Sequence, residues 1–475
     1  MLKTFIQKEL LSNIFSFRFL VTFILLLVIV TITVFILTDN YVKKLDEYSQ
    51  RQREIGNYLR DYAHFNRINN VVRPSQPPVP FYSLIRGLSS DSNIEKFDND
   101  PLPVIFPLID FTFIVTILLS LVALLFSYDS ICGEKEEGTL KLMLSNRLSR
   151  SKIILGKIIG GTLTLLFPFL LSLIIGFLVI LFNPRVLWRS ADWGAFGLIL
   201  LGSILYFTFF YCLGVFISSR HHSSSSSIMT SLFVWVLFIL IIPNLSPYIA
   251  SFLAQTPSKI KINREIAMIT DVERDELGRK LSAEKKIEMN RKYPVLAEKL
   301  SEAETKRRVA QDPDYGKAYK ELRDAVQKAW NEANRIQGEK VSIIQREQGR
   351  KQEAQEKLAI WISMISPLSD FTYLATDLSS TGIRSSSHFS RITAGWWRAF
   401  GAYRRKKMAF LQEENPTADW WNIPVDVSDM PRFQYQQEAL KDRFGGTIRY
   451  FVVLIIFTLF FFTAAYFSFI KYDVR

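Results

Sequence analysis

Few side chains in this 475-residue sequence have the types and spacing that catalysis requires. Ser149 with Lys152, and Ser282 with Lys285, match the SxxK spacing in which a lysine activates a serine nucleophile. Neither pair is accompanied by the SDN and KTG elements that complete such a site, and in a chain this rich in lysine chance spacing is the favoured explanation. No catalytic residue is therefore predicted.

Metal and nucleotide sites are not indicated either. The sequence has four His and two Cys residues, and none of them forms an HExxH, a CxxC or another cluster with metal-ligand spacing. The loop GxxxxGK[ST], which cradles nucleotide phosphates, is also absent. Gly156-Lys157 resembles the end of this loop only superficially, because Ile158 follows where the loop has the Ser or Thr that binds the metal ion. We expect no cofactor in this chain and no ATP hydrolysis by it.

The clearest functional signal is a charged turn, EKEEGT at 134–139, which lies between two long apolar runs. Gly138 permits a tight turn, and Thr139 can cap a helix start. The leucines and methionine that follow can form an apolar face for insertion into a groove on a partner. The residues predicted to contact a partner protein are Glu134, Glu136, Glu137, Gly138, Thr139, Leu140, Met143, Leu144 and Arg147. The alternative is a charged loop that only fixes membrane topology.

The chain contains six apolar runs, two of which flank this turn, and each reaches the roughly 20 residues that a helix needs to cross a bilayer. They lack the period-2 alternation of barrel strands, so the membrane part is predicted to be all-α. The predicted spans are 19–38, 104–128, 158–182, 195–217, 228–250 and 450–470. The first is interpreted as an uncleaved span, because it is long and is followed by no small-residue cleavage site.

Lys and Arg in short loops predict the orientation, since they favour the cytoplasm. The segment 129–157 carries six such residues, and the segment 1–18 adds three. Both segments, and with six spans the tail 471–475, are therefore predicted to be cytoplasmic. Four basic residues at the start of the segment 39–103 oppose this orientation without reversing it: Lys43, Lys44, Arg51 and Arg53.

Two segments, 39–103 and 251–449, are then extracytoplasmic. In the larger one, an apolar stripe from Tyr319 to Ile343 and a turn at Asp312-Pro313-Asp314 predict an antiparallel helical hairpin. Paired tryptophans follow at 396–397 and 420–421, either as a cap against the outer leaflet or as an ordinary aromatic core. The net charge of +13 is spread among interleaved acidic residues, which favours a solvated surface over a nucleic-acid site. The fold class predicted is an all-α membrane protein with six transmembrane helices and a large, mainly helical extracytoplasmic insertion.

Asp110 is the one acidic residue well inside a predicted span, and intramembrane carboxylates are costly enough to be functional candidates. Pro103 and Pro107 precede it closely, so a span that begins later would leave Asp110 at the outer interface. Both interpretations remain open from the sequence.

The sequence here resembles the permeases of ABC-2 type exporters. The resemblance lies in the order of the charged turn, the pair Leu144-Ser145 and the Gly156-Lys157 that precedes the next span. The ending 471–475 resembles the tail of a subgroup with an enlarged last extracytoplasmic loop, and the segment 1–18 is similar to the family's interfacial elbow helix. Arg147 departs from the pattern, because many members carry proline there.

The resemblance implies that 129–157 contains a coupling helix that receives force from cytoplasmic ABC ATPase subunits, which would bind the ATP and Mg. It also implies a homodimer, or a heterodimer with a related permease, in the bacterial inner membrane. The alternative function is a force-transmitting envelope protein that is driven by the same kind of ATPase and translocates nothing. The substrate is not indicated.

Overall fold

A computed structural model of the chain describes residues 2–61, 63–87, 109–145, 149–298, 300–414 and 418–471. Within these ranges the regular elements are helices, with no strand. Six of the helices found there are long and apolar enough to cross a membrane. The predicted fold class, an all-α membrane protein with six spans, is confirmed.

The helices are numbered in chain order, and π-helical stretches are included in the helix that they interrupt. Their bounds are α1 Leu2–Ile14, α2 Phe17–Asp61, α3 Phe65–Val71, α4 111–127, α5 Cys132–Glu136, α6 Thr139–Ser145, α7 Arg150–Leu181, α8 Ser190–Ser218, α9 Ser224–Leu253, α10 259–292, α11 Glu302–Gln311, α12 Pro313–Ser363, α13 Pro367–Leu378, α14 Ile383–Glu414 and α15 Leu440–Ile470. The candidate spans lie in α2, α4, α7, α8, α9 and α15.

The spans are longer than the apolar runs that predicted them. Helix α2 continues far beyond Thr38 to Asp61, because the polar residues that follow are good helix formers without proline. An ion pair of 2.7 Å between Asp46 and Arg185 joins this extension to the segment that follows α7. Helix α4 begins at Phe111, and residues 104–108, the start of the predicted second span, lie outside the described residues.

Helix α1 lies close against α7 because two glycines open the surface of α7. A Cβ atom at Gly156 would lie 2.2 Å from the Phe5 ring, and one at Gly160 would lie 3.0 Å from Cβ of Glu9. These glycines are four residues apart and so share one helix face. Phe5 of α1 is buried in this contact.

The centre of the membrane part is aromatic and is built around α8. Phe209 lies 5.7 Å from Phe457 and 5.4 Å from Phe461, ring centre to ring centre, which packs α8 against α15. Several polar side chains of these spans donate hydrogen bonds to carbonyl groups of neighbouring spans, as an apolar surrounding favours. The Tyr206 hydroxyl, for example, donates to the carbonyl of Thr116 at 2.9 Å, joining α8 to α4.

Helix α13 also packs among the spans, which the sequence did not predict. Its Phe371 ring lies 5.3 Å from Tyr206 of α8, and its Tyr373 ring lies 5.5 Å from Tyr450 of α15. The Ser366 hydroxyl, at the start of α13, donates to the carbonyl of Phe238 in α9. A helix of twelve residues is too short to be recognised as a span by length and hydropathy.

The chain divides into two compact units, one formed by 1–243 with 363–475 and the other by 244–362. The predicted segment 251–449 is therefore split at residue 363. In the smaller unit, α10 and α12 run antiparallel: Glu273 pairs with Lys340 at 2.7 Å, and Lys292 pairs with Glu321 at 2.9 Å. The Asp312 carboxylate accepts hydrogen bonds from the first backbone N–H groups of α12, as predicted for that turn.

The tryptophan-rich part of the larger unit forms an aromatic core, which was one of its two predicted roles. Trp396 and Phe400 are buried and stacked, with ring centres 5.1 Å apart, and the Trp396 indole N–H donates to the carbonyl of Pro431. Residues of α3 and of the irregular segment 425–430, between α14 and α15, complete the cluster. Trp421 remains 46% exposed.

Candidate docking site

The segment between α4 and α7 meets the ends of several other helices on one face of the membrane part. The backbone N–H groups of Ile131 and Cys132 both donate to the Ser218 hydroxyl, at 3.0 and 3.1 Å, where α8 ends. The Arg150 guanidinium donates to the carbonyl of Ile470, at the end of α15. Because α1 packs here as well, we call this side the N-terminal face.

A buried lysine joins three of these elements. The Lys157 ammonium of α7 is 3% exposed and lies 2.7 Å from the carboxylate of Glu134 in α5. It also lies 3.6 Å from the carboxylate of Glu9 in α1. The two glutamates are 19% and 14% exposed, so little water reaches the cluster. Three charges in this setting are stable only while they compensate each other.

Glu136 makes a second connection, to the start of α9. Its carboxylate accepts a hydrogen bond of 3.0 Å from the backbone N–H of Ser224 and a further one from the Ser224 hydroxyl. The first N–H groups of a helix lack partners within the helix and carry partial positive charge, which a carboxylate stabilises. Glu134 and Glu136 therefore attach the predicted partner-binding segment to two helices of its own chain, α7 and α9.

The turn after α5 places the next helix. Gly138 has φ of 74°, in the left-handed region where a side chain is strained. The Thr139 hydroxyl donates to the carbonyl of Glu134 across this turn at 3.2 Å. Glu137 and Gly138 are both exposed, so the turn itself is open to another molecule.

Changing Gly138 to alanine isolates this backbone requirement, because no atom lies within 4 Å of the Cβ position. We expect the substitution to destabilise the seating of α6 by about 1 kcal/mol, which corresponds to roughly fivefold faster amide hydrogen exchange in α6. The matched control is Gly338→Ala, in mid-helix and equally free of neighbours, which removes backbone freedom without strain. Equal rates of amide hydrogen exchange in α6 of Gly138→Ala and of the unmodified chain would show that the turn does not need a residue with a left-handed backbone conformation.

The apolar side of α6 points into the chain, which corrects one predicted contact. Leu140 is fully buried, so its side chain is not available to a partner. Met143 is half-buried, and its sulfur lies 3.7 Å from the ammonium of Lys8. Leu142, which was not predicted as a contact residue, is 67% exposed. The side chain of Leu144 and the whole of Arg147 lie outside the described residues.

Asp110 lies at the beginning of α4 rather than within it. Its carboxylate accepts hydrogen bonds from the backbone N–H of Phe113 at 2.8 Å and of Arg86 at 3.2 Å. This geometry is that of an N-cap, which stabilises the first turn of a helix. Of the two sequence interpretations, the geometry favours a carboxylate at the end of the span.

The described residues offer no group of three or more His, Cys, Asp or Glu side chains that could hold a metal ion. The functional features that the sequence did not indicate are Leu142 and the cluster around Lys157. The position of Lys157 was one available signal. The third span was predicted to begin at residue 158, whereas helix α7 begins at Arg150, so Lys157 lies seven residues inside the helix. A lysine there needs a carboxylate close by.

The fold and this face define the class of the protein: a polytopic α-helical membrane protein with a charged, helical segment that follows its second span and is held against its third, fourth and fifth spans. The sequence matches the family model described as "ABC-2 family transporter protein" over residues 4–474. The chain therefore belongs to the ABC-2 family of transporter proteins.

Two relatives in this class share part of the sequence. The chain is 36% identical over 130 residues to a Pseudomonas aeruginosa protein described as "Probable ABC transporter permease protein NosY", a match of 27% of this chain and 47% of that protein. A protein of the same description from Stutzerimonas stutzeri is 36% identical over 132 residues, which is 27% of this chain and 46% of the relative. The chain thus spans about half the length of these relatives.

Proposed function

We propose that this chain is the permease subunit of an ATP-driven ABC exporter, and that a separate cytoplasmic ATPase docks on the exposed surface of 137–142. The observation that carries the proposal is the double attachment of this segment. Glu134 bonds to Lys157 of α7, and Glu136 bonds to Ser224 of α9. A force applied to α6 is therefore passed to two spans at once, as a coupling element requires.

The exposed surface fits a docking role in its composition. It offers Leu142 as an apolar anchor, with Glu137 and Lys141 as charged neighbours. An apolar centre with a polar rim is the usual anatomy of a specific interface. The ATPase would hold the ATP and Mg, and this chain would hold neither.

The N-terminal face is assigned to the cytoplasm in this proposal, with both termini on that side of a bacterial inner membrane. Basic residues of short segments support the assignment, because they favour the cytoplasmic side. Those on the face are Lys3, Lys8, Arg18, Lys135, Lys141, Arg150 and Lys152.

Transport in this proposal is a rigid-body switch. Two permeases, identical or related, would bind two ATPase subunits, and closure of the ATPases would push α6 and rotate the attached spans. The substrate leaves the membrane or crosses it away from the N-terminal face; its chemical identity is open.

The experiment is purification of the full chain from its own host in a mild detergent, followed by an ATPase assay. We expect a co-purifying P-loop ATPase whose hydrolysis rate falls when the permease is removed. Recovery of natively folded chain without any ATP-hydrolysing partner, under conditions that preserve other ABC complexes, would contradict the proposal.

A force-transmitting protein is the alternative, and the separate unit 244–362 favours it as a lever that could act on an envelope partner. This alternative uses the same ATPase contact. Reconstitution with the ATPase in vesicles separates the two functions: an exporter moves a co-purified substrate when ATP is added, whereas a transmitter hydrolyses ATP without moving one.

A further inference from the structure

Helix α13 carries a carboxylate that has no hydrogen-bond partner among the described residues. Asp370 is 0% exposed, and neither of its side-chain oxygens has a hydrogen-bond partner in the part of the chain that the structure describes. Asp192, which is also buried, accepts a hydrogen bond of 3.0 Å from the backbone N–H of Arg189, and the partly buried Asp110 accepts two backbone N–H bonds. Asp370 is thus an exception to the rule that buried polar groups are paired.

The position of Asp370 in the membrane part adds to the free-energy cost of leaving this carboxylate unpaired. The adjacent Phe371 contacts Tyr206, near the middle of α8, and Ser366 bonds to Phe238, near the middle of α9. Asp370 therefore lies deep within the membrane part, far from both ends of these spans. Ionisable residues at such depth are rare because an apolar surrounding does not solvate charge.

The charged and titratable groups on the helices around α13 make their hydrogen bonds to residues other than Asp370. On α15, Arg449 donates to the Tyr450 hydroxyl at 2.6 Å, and Arg443 donates to the carbonyl of Leu378 at 2.6 Å. On α14, Arg384 pairs with Glu438 at 2.9 Å. Other such groups are Tyr206 of α8, bonded to Thr116, Asp110 at the start of α4, and Tyr373 and Asp377 of α13 itself. The segment Leu237–Ile241 of α9 is apolar.

An ionised Asp370 would therefore be a fully buried charge that accepts no hydrogen bond from the described residues. The positive charge of Arg449 on α15 acts on it without forming a salt bridge, and burial without a donor is an unfavourable state for a carboxylate. A neutral carboxylic acid avoids this penalty.

We propose that Asp370 is a proton-binding site, which holds a proton while α13 is seated between α8 and α15 and releases it to water when α13 moves out. The proposal does not depend on the docking of an ATPase. It adds a ligand, the proton, whose binding is linked to the conformation of the membrane part.

The linkage has a defined sign. An exposed aspartate loses its proton near pH 4, whereas the seated Asp370 retains it above that pH. Raising the pH therefore favours any state in which Asp370 meets water, and the seated conformation loses stability as the pH rises above about 4. This loss ends where the seated side chain itself ionises.

Infrared spectroscopy tests the site directly on the full chain in lipid nanodiscs at pH 7. A protonated carboxyl group has a C=O stretching band distinct from that of a carboxylate. We expect the difference spectrum between the unmodified chain and Asp370→Asn to contain one protonated-carboxyl band. The control Asp442→Asn, which removes an exposed carboxylate from the start of α15, is expected to change only carboxylate bands.

A second variant and a second measurement keep the test decisive. If Asp370→Asn does not fold, Asp370→Leu, which introduces no new donors, is compared in the same way. Thermal denaturation between pH 5 and pH 8 should show the midpoint falling with pH in the unmodified chain and falling less in the variant. A difference spectrum without a protonated-carboxyl band would overturn the proposal. Since no ATPase is present in these experiments, that result would leave the docking proposal untouched.

Discussion

Lys157→Met is expected to lower the free energy of unfolding of the membrane part by about 3 kcal/mol, at the lower end of the range for breaking a buried ion pair. The reason is that Glu134 and Glu9 then remain largely buried, with no cation between them. Methionine fills a volume similar to that of the lysine stem, so the loss reports the charge rather than a cavity. Because the same cluster attaches α5 to α7, we also expect ATP hydrolysis in the complex to lose its dependence on the permease.

The measurement is the thermal midpoint of the purified chain in nanodiscs, with Lys152→Met as the matched control. Lys152 lies on the same helix but is exposed, and its replacement should shift the midpoint little. The double variant with Lys157→Met and Glu134→Gln should recover part of the loss, since it removes charges of both signs. Equal midpoints for Lys157→Met and Lys152→Met would refute the role of the buried cluster.

The sequence was sufficient for the spans because membrane crossing imposes a length and a hydropathy on each of them. It was also sufficient for the turn at Asp312, where local capping chemistry decides the structure. The same criterion of length and hydropathy misses helix α13, because that helix is short and carries Ser, Thr and Asp. Only its contacts in the folded chain show that it is buried among the spans.

The candidate site shows a different limit. Leu140 and Met143 were predicted to share an apolar face, and they do lie on the less exposed side of α6. Periodicity identifies such a face but does not say whether it packs on its own chain or on a partner. Glu9 and Lys157 are a similar case, since 148 positions separate them and no local spacing indicates that they meet. Long-range packing decided both outcomes.

Leu142→Asp tests the docking surface without disturbing the chain, because Leu142 is 67% exposed. A charge placed at the apolar centre of an interface costs at least about 2 kcal/mol, which corresponds to a rise of roughly thirty-fold in Kd. We therefore expect weak binding of the ATPase, and loss of permease-dependent ATP hydrolysis at ATPase concentrations that saturate the unmodified chain. Leu140→Asp, by contrast, should lose ATPase binding because the chain misfolds, since the Leu140 side chain is fully buried.

Two matched variants separate docking from general effects of the substitution. Ile287→Asp introduces the same charge at an aliphatic residue of α10 that is 55% exposed, and it should leave ATPase binding unchanged. Leu142→Met retains an apolar anchor and should bind nearly as well as the unmodified chain. The Kd is measured by titrating the ATPase onto nanodiscs that contain each variant, after the thermal midpoint has shown that the variant is folded. If Leu142→Asp binds the ATPase as tightly as Ile287→Asp, then the exposed side of α6 is not where force enters this protein.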